Sequence, residues 1–330
     1  ILLFEDYGEL LLRGSKSRND PKPDLDNASG GNMQKISIIL FFFIFLNSSF
    51  AQEKLVVGTY DSFSADWGPG PIIEGKFEEI CNCDLQFIST SQAGTLNNEI
   101  FLNGKDVILG VEMHEFDYSI EDWHEYDHGF FSFIYDSSKL TNPPKTFEEL
   151  VNREDLKIVV QDPRTSPVGI GLLRWMKSIF KDDFSIKLKQ LDQNIITYSP
   201  GWSEAYGIFL EGNADLVLSY STSPFYHQEY ENEYKYKSLN FTEGHLATRE
   251  IVYVREESMN QKLAKKFIDF IIEDEIQKII SSMNIMYPSV DKTELVPEKM
   301  KNLIKPKEID YKVFLESEPL IETWLETIAG

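Results

Sequence analysis

The chain has 330 residues, 42% of them hydrophobic, with 54 acidic against 32 basic side chains and a formal charge of −22. This composition excludes disorder and collagen-like repetition, and the length suits two globular units or one large α/β protein whose chain crosses between two lobes. The acidic excess argues against a nucleic-acid backbone as partner, because that footprint is a basic patch, and it fits a cationic or zwitterionic ligand better.

Residues 1–32 lack apolar periodicity and read as an upstream segment foreign to the mature protein. Met33 opens a different pattern, with Lys35, an eleven-residue apolar run from Ile36 to Leu46, and small residues at Ser49 and Ala51. This is the layout of a secretory signal cleaved after Ala51, giving segment 33–51 as signal peptide and a mature chain beginning near Gln52. The run is too short to cross a bilayer, which needs about 20 apolar residues. The expected location is the periplasm.

From Leu55 to Tyr60 an apolar run predicts a strand, followed by the helix-start signal Asp61-Ser62. Leu85 to Ile88 is the next strand, Ser89 to Thr95 a loop, and a short helix ends at Leu102 before the buried strand Asp106 to Gly110. The segment 124–128 reads as a loop, Phe130 to Tyr135 as a strand and Thr146 to Val151 as a capped helix. Lys157 to Val160 is a strand, Pro167 to Phe180 a helix by its spacing, Gly201 to Leu210 another helix, and Leu216 to Tyr220 a strand. Strands alternating with helices predict parallel sheets with crossover connections. Thr248 to Val254 returns the chain to the first lobe, Leu263 to Ile280 predicts one long amphipathic helix, and Tyr311 to Ile328 a terminal helix. The expected division is a first lobe of 52–132 plus 242–330 and a second of 133–241. Two Gly-Asp junctions, around Gly104 and Gly212, lie 108 residues apart, as a unit repeated in each lobe requires. Ligands of such open sheets bind outside the carboxyl ends of the strands.

The chemistry is sparse. His124-Glu125-Tyr126-Asp127-His128 fits the H-E-x-x-H pattern, but zinc hydrolysis needs both histidines on one helix face, and Gly129 and a strand follow at once. There is no G-x-S-x-G elbow. Cys81 and Cys83 are too few for a disulfide framework, lack C-x-x-C spacing, and read as structural or free thiols, since i, i+2 thiols bridge only with strain. What remains is a set of aromatic and hydroxyl residues at strand ends and helix starts: Tyr60, Trp67, Ser166, Trp202, Tyr220, Ser221, Thr222, Ser223 and Tyr226. Aromatic faces hold flat rings and cations, and Thr165-Ser166 before Pro167 presents a helix start suited to an anion.

These residues resemble the thiamine-binding periplasmic proteins of ABC importers, within the two-lobed type 2 solute-binding fold. The resemblance rests on Thr59-Tyr60-Asp61-Ser62-Phe63 through Asp66-Trp67-Gly68-Pro69-Gly70-Pro71, on Cys81-Asn82-Cys83, and on Gln161-Asp162-Pro163-Arg164-Thr165-Ser166. Gly201-Trp202-Ser203-Glu204-Ala205-Tyr206-Gly207 and Leu218-Ser219-Tyr220-Ser221-Thr222-Ser223-Pro224 complete it. It implies two α/β lobes, each a mostly parallel sheet flanked by helices, with the ligand between them. It further implies capture of thiamine, thiamine monophosphate or thiamine diphosphate, delivery to a membrane permease and ATPase, no catalysis, no cofactor, no bound metal, and a monomer. Trp202 and Tyr220 would pack on the ligand, Ser221, Thr222 and Ser223 would hydrogen-bond it, Ser166 and Pro167 would line its phosphate end, and Tyr60, Trp67 and Tyr226 would be of second rank. Two departures stand out. Gln92-Ala93 occupy the place of the family's acidic residue and Gly, with Glu112 as a substitute carboxylate, and the segment 111–128 is short by about one helix, of the order of 20 residues. The competing expectations are a ferric-ion or other cationic-solute binding protein of the same fold, and a secreted zinc hydrolase using His124, Glu125 and His128.

Overall fold

The structure, a computed structural model, describes residues 52–309 and 316–329. The expected upstream segment 1–32, the signal peptide 33–51 and the start of the terminal helix at Tyr311 lie outside the described residues. Among the described residues ten strands form the framework: β1 (Lys54–Tyr60), β2 (Asp84–Thr90), β3 (Val107–Glu112), β4 (Trp123–Asp136), β5 (Ile158–Gln161), β6 (Ile195–Ser199), β7 (Leu216–Tyr220), β8 (Tyr236–Ser238), β9 (Ala247–Val254) and β10 (Tyr287–Pro288). Their order is β2-β1-β3-β9-β4-β7-β5-β6, with β8 and β10 pairing with β4. β1 runs parallel to β2 and β3, and β5 parallel to β6 and β7, whereas β4 and β9 are antiparallel to their neighbours. The expected mostly parallel α/β sheets are therefore present, joined by two antiparallel crossing strands.

The two parallel triplets, β2-β1-β3 and β6-β5-β7, are the same unit twice. Gly104 (φ +74°) and Gly212 (φ +82°) turn the chain in the left-handed region that glycine tolerates. Just beyond each, an aspartate clamps the start of the central strand: Val56 N–H donates to Asp106 Oδ2 at 2.9 Å and Lys157 N–H to Asp215 Oδ2 at 2.8 Å. The echo seen in the sequence is a structural repeat.

β4 carries the connection. Its residues from Trp123 to Phe130 pair with β9, and those from Phe131 to Tyr135 pair with β7. The His124–His128 segment is thus strand, neither loop nor helix, because the partners along β9 supply its backbone hydrogen bonds whatever its own polar character. At a strand rise of about 3.3 Å per residue, the two histidines sit roughly 13 Å apart. His124 Nε2 lies 2.9 Å from Asp269 Oδ1, while His128 packs against Tyr287, so the zinc pattern is a coincidence of letters.

Several elements differ from expectation. The long helix expected to Ile280 is two, Gln261–Ile271 and Asp274–Met283, separated at the extended Glu273 (φ −65°, ψ 143°). Asp274 and Glu275 then fall in a new first turn, where the helix dipole favours acids. The helices Phe184–Asp192 and Pro224–Tyr230, with strand β6, were not expected at all. Cys81 and Cys83 are joined in a disulfide, with Cα atoms 5.2 Å apart. The helix Gly70–Cys81 ends on Asn82 in the left-handed conformation (φ 53°), which folds the two cysteines back toward each other. Among the described residues no helix is long and apolar enough to cross a membrane.

The apolar cores fall on either side of the crossing. Leu55, Val57, Phe77, Val107 and Phe267 share one, and Phe133, Phe147, Trp175, Leu188 and Leu218 share the other. The terminal helix Ser317–Ala329 places Leu320 and Trp324 in the second of these. One turn of spacing puts both side chains on the face that meets the helices Pro167–Phe180 and Phe184–Asp192. Trp324 is 1% exposed, so Trp324→Ala is expected to cost about 3–5 kcal/mol in urea unfolding, the usual range for a fully buried tryptophan; a peripheral helix would give a change below about 1 kcal/mol.

Candidate functional site

The sheet topology brings the candidate residues to one place. Tyr60 ends β1, Gln92-Ala93 follow β2, Glu112 ends β3, Ser166 follows β5, Trp202 follows β6, and Tyr220 to Ser223 leave β7. All stand at carboxyl ends of parallel strands, where the two halves meet. The halves are in contact here: Gly94 N–H donates to the Thr165 carbonyl at 3.0 Å. Gly201 lies so close to the Ser91 carbonyl that an added Cβ would stand 2.7 Å from it.

Trp202 opens the helix Trp202–Leu210 and is half-buried. Its indole N–H donates to Ser219 Oγ at 2.7 Å, and one ring face stacks on Tyr206 with centroids 5.0 Å apart. Ser219 Oγ in turn pairs with Ser223 Oγ at 2.8 Å, and Ser223 Oγ accepts from Tyr220 N–H at 3.3 Å. Ser223 is thus part of the scaffold that holds Trp202. The Tyr220 ring stacks on Phe131 at 5.7 Å, and burial, reinforced by Glu250, Asp127 and Glu112, drives its phenol well above the usual range. Ser221 and Thr222 are fully buried, and their hydroxyls make no hydrogen bond among the described residues.

Near Tyr220 lies a buried acid pair. Asp127 on β4 and Glu250 on β9 are direct cross-strand partners. Tyr60 O–H donates to Glu250 Oε2 at 2.7 Å, Tyr126 O–H donates to the same oxygen, and Asn284 Nδ2 donates to Asp127 Oδ2 at 2.7 Å. Asp127 Oδ1 is left without a partner among the described residues. Burial raises both carboxyls, Glu250 to about 7. Glu112, the expected substitute carboxylate, is the register partner of Glu250 across β3 and β9. The Glu112 carboxylate accepts from Thr248 Oγ1 at 3.2 Å and stands 2.8 Å from His114 Nδ1 and 3.7 Å from Arg174.

Ser166 uses its hydroxyl to cap the helix Pro167–Phe180, accepting from Val168 N–H at 3.3 Å, so one of the N–H groups expected to face an anion is already satisfied. Ala93, Ser166 and Pro167 line a cavity of about 180 Å³ together with Glu112, Glu115 and Ser317. Gln92 turns the loop, its carbonyl accepting from Thr95 N–H at 2.8 Å. Trp67 and Tyr226 join neither the acid pair nor this cavity; Tyr226 packs edge-on to His227 at 5.3 Å.

Residues 109–312 match the family described as bacterial extracellular solute-binding protein. The chain is 38% identical over 285 residues to the thiamine-binding periplasmic protein of Escherichia coli, covering 78% of this chain and 86% of that one. The chain belongs to the thiamine-binding periplasmic protein family. The Brucella melitensis protein of that name is 34% identical over 307 residues, covering 83% of this chain and 92% of its own. The solved structure of a periplasmic thiamin binding protein superposes with a TM-score of 0.78 at 35% identity, covering 85% of this chain and 98% of that one. As a member of a solute-binding family the chain is a binding component and not an enzyme.

Asp127, Glu250, Asn284 and Tyr126 escaped the sequence reading. The available signal was an acid in the middle of each strand: Glu250 stands among Ile251, Val252 and Tyr253, and Asp127 just ahead of Phe130 and Phe131.

Two consequences follow from the buried groups. A carboxyl whose folded pKa lies above its unfolded value binds more protons in the folded state, so its contribution to stability is lost as pH rises through the folded value. For Glu250 the window runs from about 4.5 to about 7. The urea midpoint of the wild type should therefore fall across that range more steeply than that of Glu250→Gln; identical slopes would contradict the burial of an acid pair. Thr222→Val keeps the shape and removes an unpaired buried hydroxyl, so the ligand-free protein should gain about 1 kcal/mol, read as a higher melting temperature, while losing affinity for its solute.

Proposed function

We propose that the protein captures thiamine between its two halves in the periplasm and delivers it to the permease and ATPase of an ABC importer. The observation that carries this reading is the convergence, at one set of strand ends, of the Trp202 and Tyr220 rings, the unpaired hydroxyls of Ser221 and Thr222, and the Asp127–Glu250 pair. Thiamine offers the complement to each: two flat rings, an aminopyrimidine edge rich in donors and acceptors, and a permanent positive charge on the thiazolium. A cation over an aromatic face gains about 0.5–2 kcal/mol. The names of the relatives support the same ligand.

In this reading Trp202 and Tyr220 hold the rings, Ser221 and Thr222 bond the polar edge, and Ser223 fixes Trp202. Tyr60 serves the acid pair, Gln92 and Ala93 shape the first-half loop, and Ser166 with Pro167 borders the cavity that receives the hydroxyethyl or phosphate end. Trp67 and Tyr226 lie at the periphery. The working division is a first lobe of 52–132 plus 242–309 and a second of 133–241 carrying the terminal helix, with export directed by segment 33–51.

Isothermal titration of the purified, ligand-stripped protein with thiamine, thiamine monophosphate and thiamine diphosphate tests the proposal. Saturable one-to-one binding of thiamine is expected, weakened at least about tenfold by Tyr220→Ala, the loss of one aromatic contact of about 1.4 kcal/mol. A folded protein that takes up ferric iron and none of the three thiamine compounds would overturn it.

A further inference from the structure

Arg174 is the anomaly of the helix Pro167–Phe180. It stands in an apolar run, between Leu173 and Trp175, and is 1% exposed. A guanidinium in such a place must be paired, because an isolated buried charge is prohibitively costly. Its partners come from two directions. Nη2 donates to Ser317 Oγ at 2.6 Å, and Ser317 opens the terminal helix, whose Leu320 and Trp324 share a core with Trp175. Nη2 also meets Glu115 Oε1 at 2.5 Å, and Nη1 lies 3.7 Å from Glu112 Oε2. Glu112 ends β3 and Glu115 follows it, so both belong to the other half. The Ser317 hydroxyl donates to Glu115 as well.

We infer that Arg174 is the closure latch of the cleft, a positioning residue that holds the two halves together over the solute through Glu115 and Glu112. This rests on the solute-binding reading above. The chemistry of the three groups divides the labour. Ser317 and Arg174 ride on the same half, so their bond persists when the halves part and keeps the guanidinium aimed across the cleft; such pre-organisation lowers the entropy of re-forming the pair. The Arg174–Glu115 and Arg174–Glu112 contacts exist only when the halves meet. A charge-assisted bond in a water-poor site is about twice as strong as a neutral one, and Glu115, with 38% of its side chain exposed, is the point at which water first reaches the pair as the cleft opens. The Gly94–Thr165 backbone bond also joins the halves at these loops, and it is neutral. The latch borders the same cavity as Ala93, Ser166 and Pro167, so closing it seals the end of the cleft beside the solute.

The test uses Glu115→Gln, which preserves volume and drops the charge, beside Arg174→Lys and Arg174→Leu. Thiamine association and dissociation are followed by stopped-flow tryptophan fluorescence, and the radius of gyration by small-angle X-ray scattering with and without thiamine. Glu115→Gln should raise the dissociation rate about tenfold with association changed less than about twofold, as expected when a closing contact rather than an encounter contact is lost, and should shift the scattering toward the open form. Arg174→Lys should fall between wild type and Arg174→Leu, because an ammonium keeps the charge without the two-armed geometry. A Glu115→Gln protein with wild-type dissociation and wild-type scattering overturns the latch, and it does so even if Arg174→Leu fails to fold. Should the wild type bind no thiamine, the thiamine reading fails by itself, and the scattering of the ligand-free proteins still decides the latch: an unchanged radius of gyration in Glu115→Gln overturns it and a larger one supports it.

Discussion

One continuous strand belongs to both halves of this protein. β4 exchanges β9 for β7 as its hydrogen-bonding partner between Phe130 and Phe131, and because the main chain must keep its donors and acceptors satisfied in each register, the two sheets can pivot but not separate. The Phe131 N–H donates to Leu246 on one side while the Phe130 carbonyl accepts from Ser221 on the other. The loop after β7, which carries the candidate hydroxyls, is therefore pinned to the pivot itself. The buried acid pair sits three residues up the same strand, at Asp127. Pivot, hydroxyl loop and carboxylates are one mechanical unit.

The remaining architecture arranges loops around that pivot. Parallel strands on either side direct their carboxyl ends to a common opening, and helices cover the outer faces. The closest approaches are made by glycines for steric reasons: at Gly201 any side chain would strike the Ser91 carbonyl, and at Gly169 it would strike the Gln161 carbonyl. The terminal helix completes the second half by burying Trp324 and presents Ser317 beside Arg174.

Much of the scaffold was legible because it obeys local rules. β1, β3, β5 and β7 are short apolar runs with turn signals at their ends, and the helix Pro167–Phe180 begins at the capping Ser166 and helical Pro167. What was not legible depends on partners distant in sequence. The polar segment His124–His128 is a strand only because β9 lies beside it, and the helix break at Glu273 follows from how Ile271 and Ile276 must both reach the core. The candidate site divides the same way. Trp202 and Tyr220 stood out as aromatics at a helix start and a strand end. The Asp127–Glu250 pair did not, since its proximity is created by pairing β4 with β9. Glu112 was a reasonable substitute for a missing acid by position alone, yet Arg174 and His114 occupy it. Cys81 and Cys83 were judged by spacing, and it was the left-handed Asn82 between them that made the bridge geometrically accessible.

The repeated unit with its two aspartate clamps, Asp106 and Asp215, has a consequence for the opening it frames. Two copies of one scaffold face each other, so their loops are equivalent in position; their chemistry is not. The first copy ends β3 in Glu112, beside His114 and Arg174, while the second ends β7 in a tyrosine followed by hydroxyls. The two walls thus match in backbone geometry and differ in the groups they present. The asymmetry laid on a near-symmetric frame gives the opening between the copies a direction.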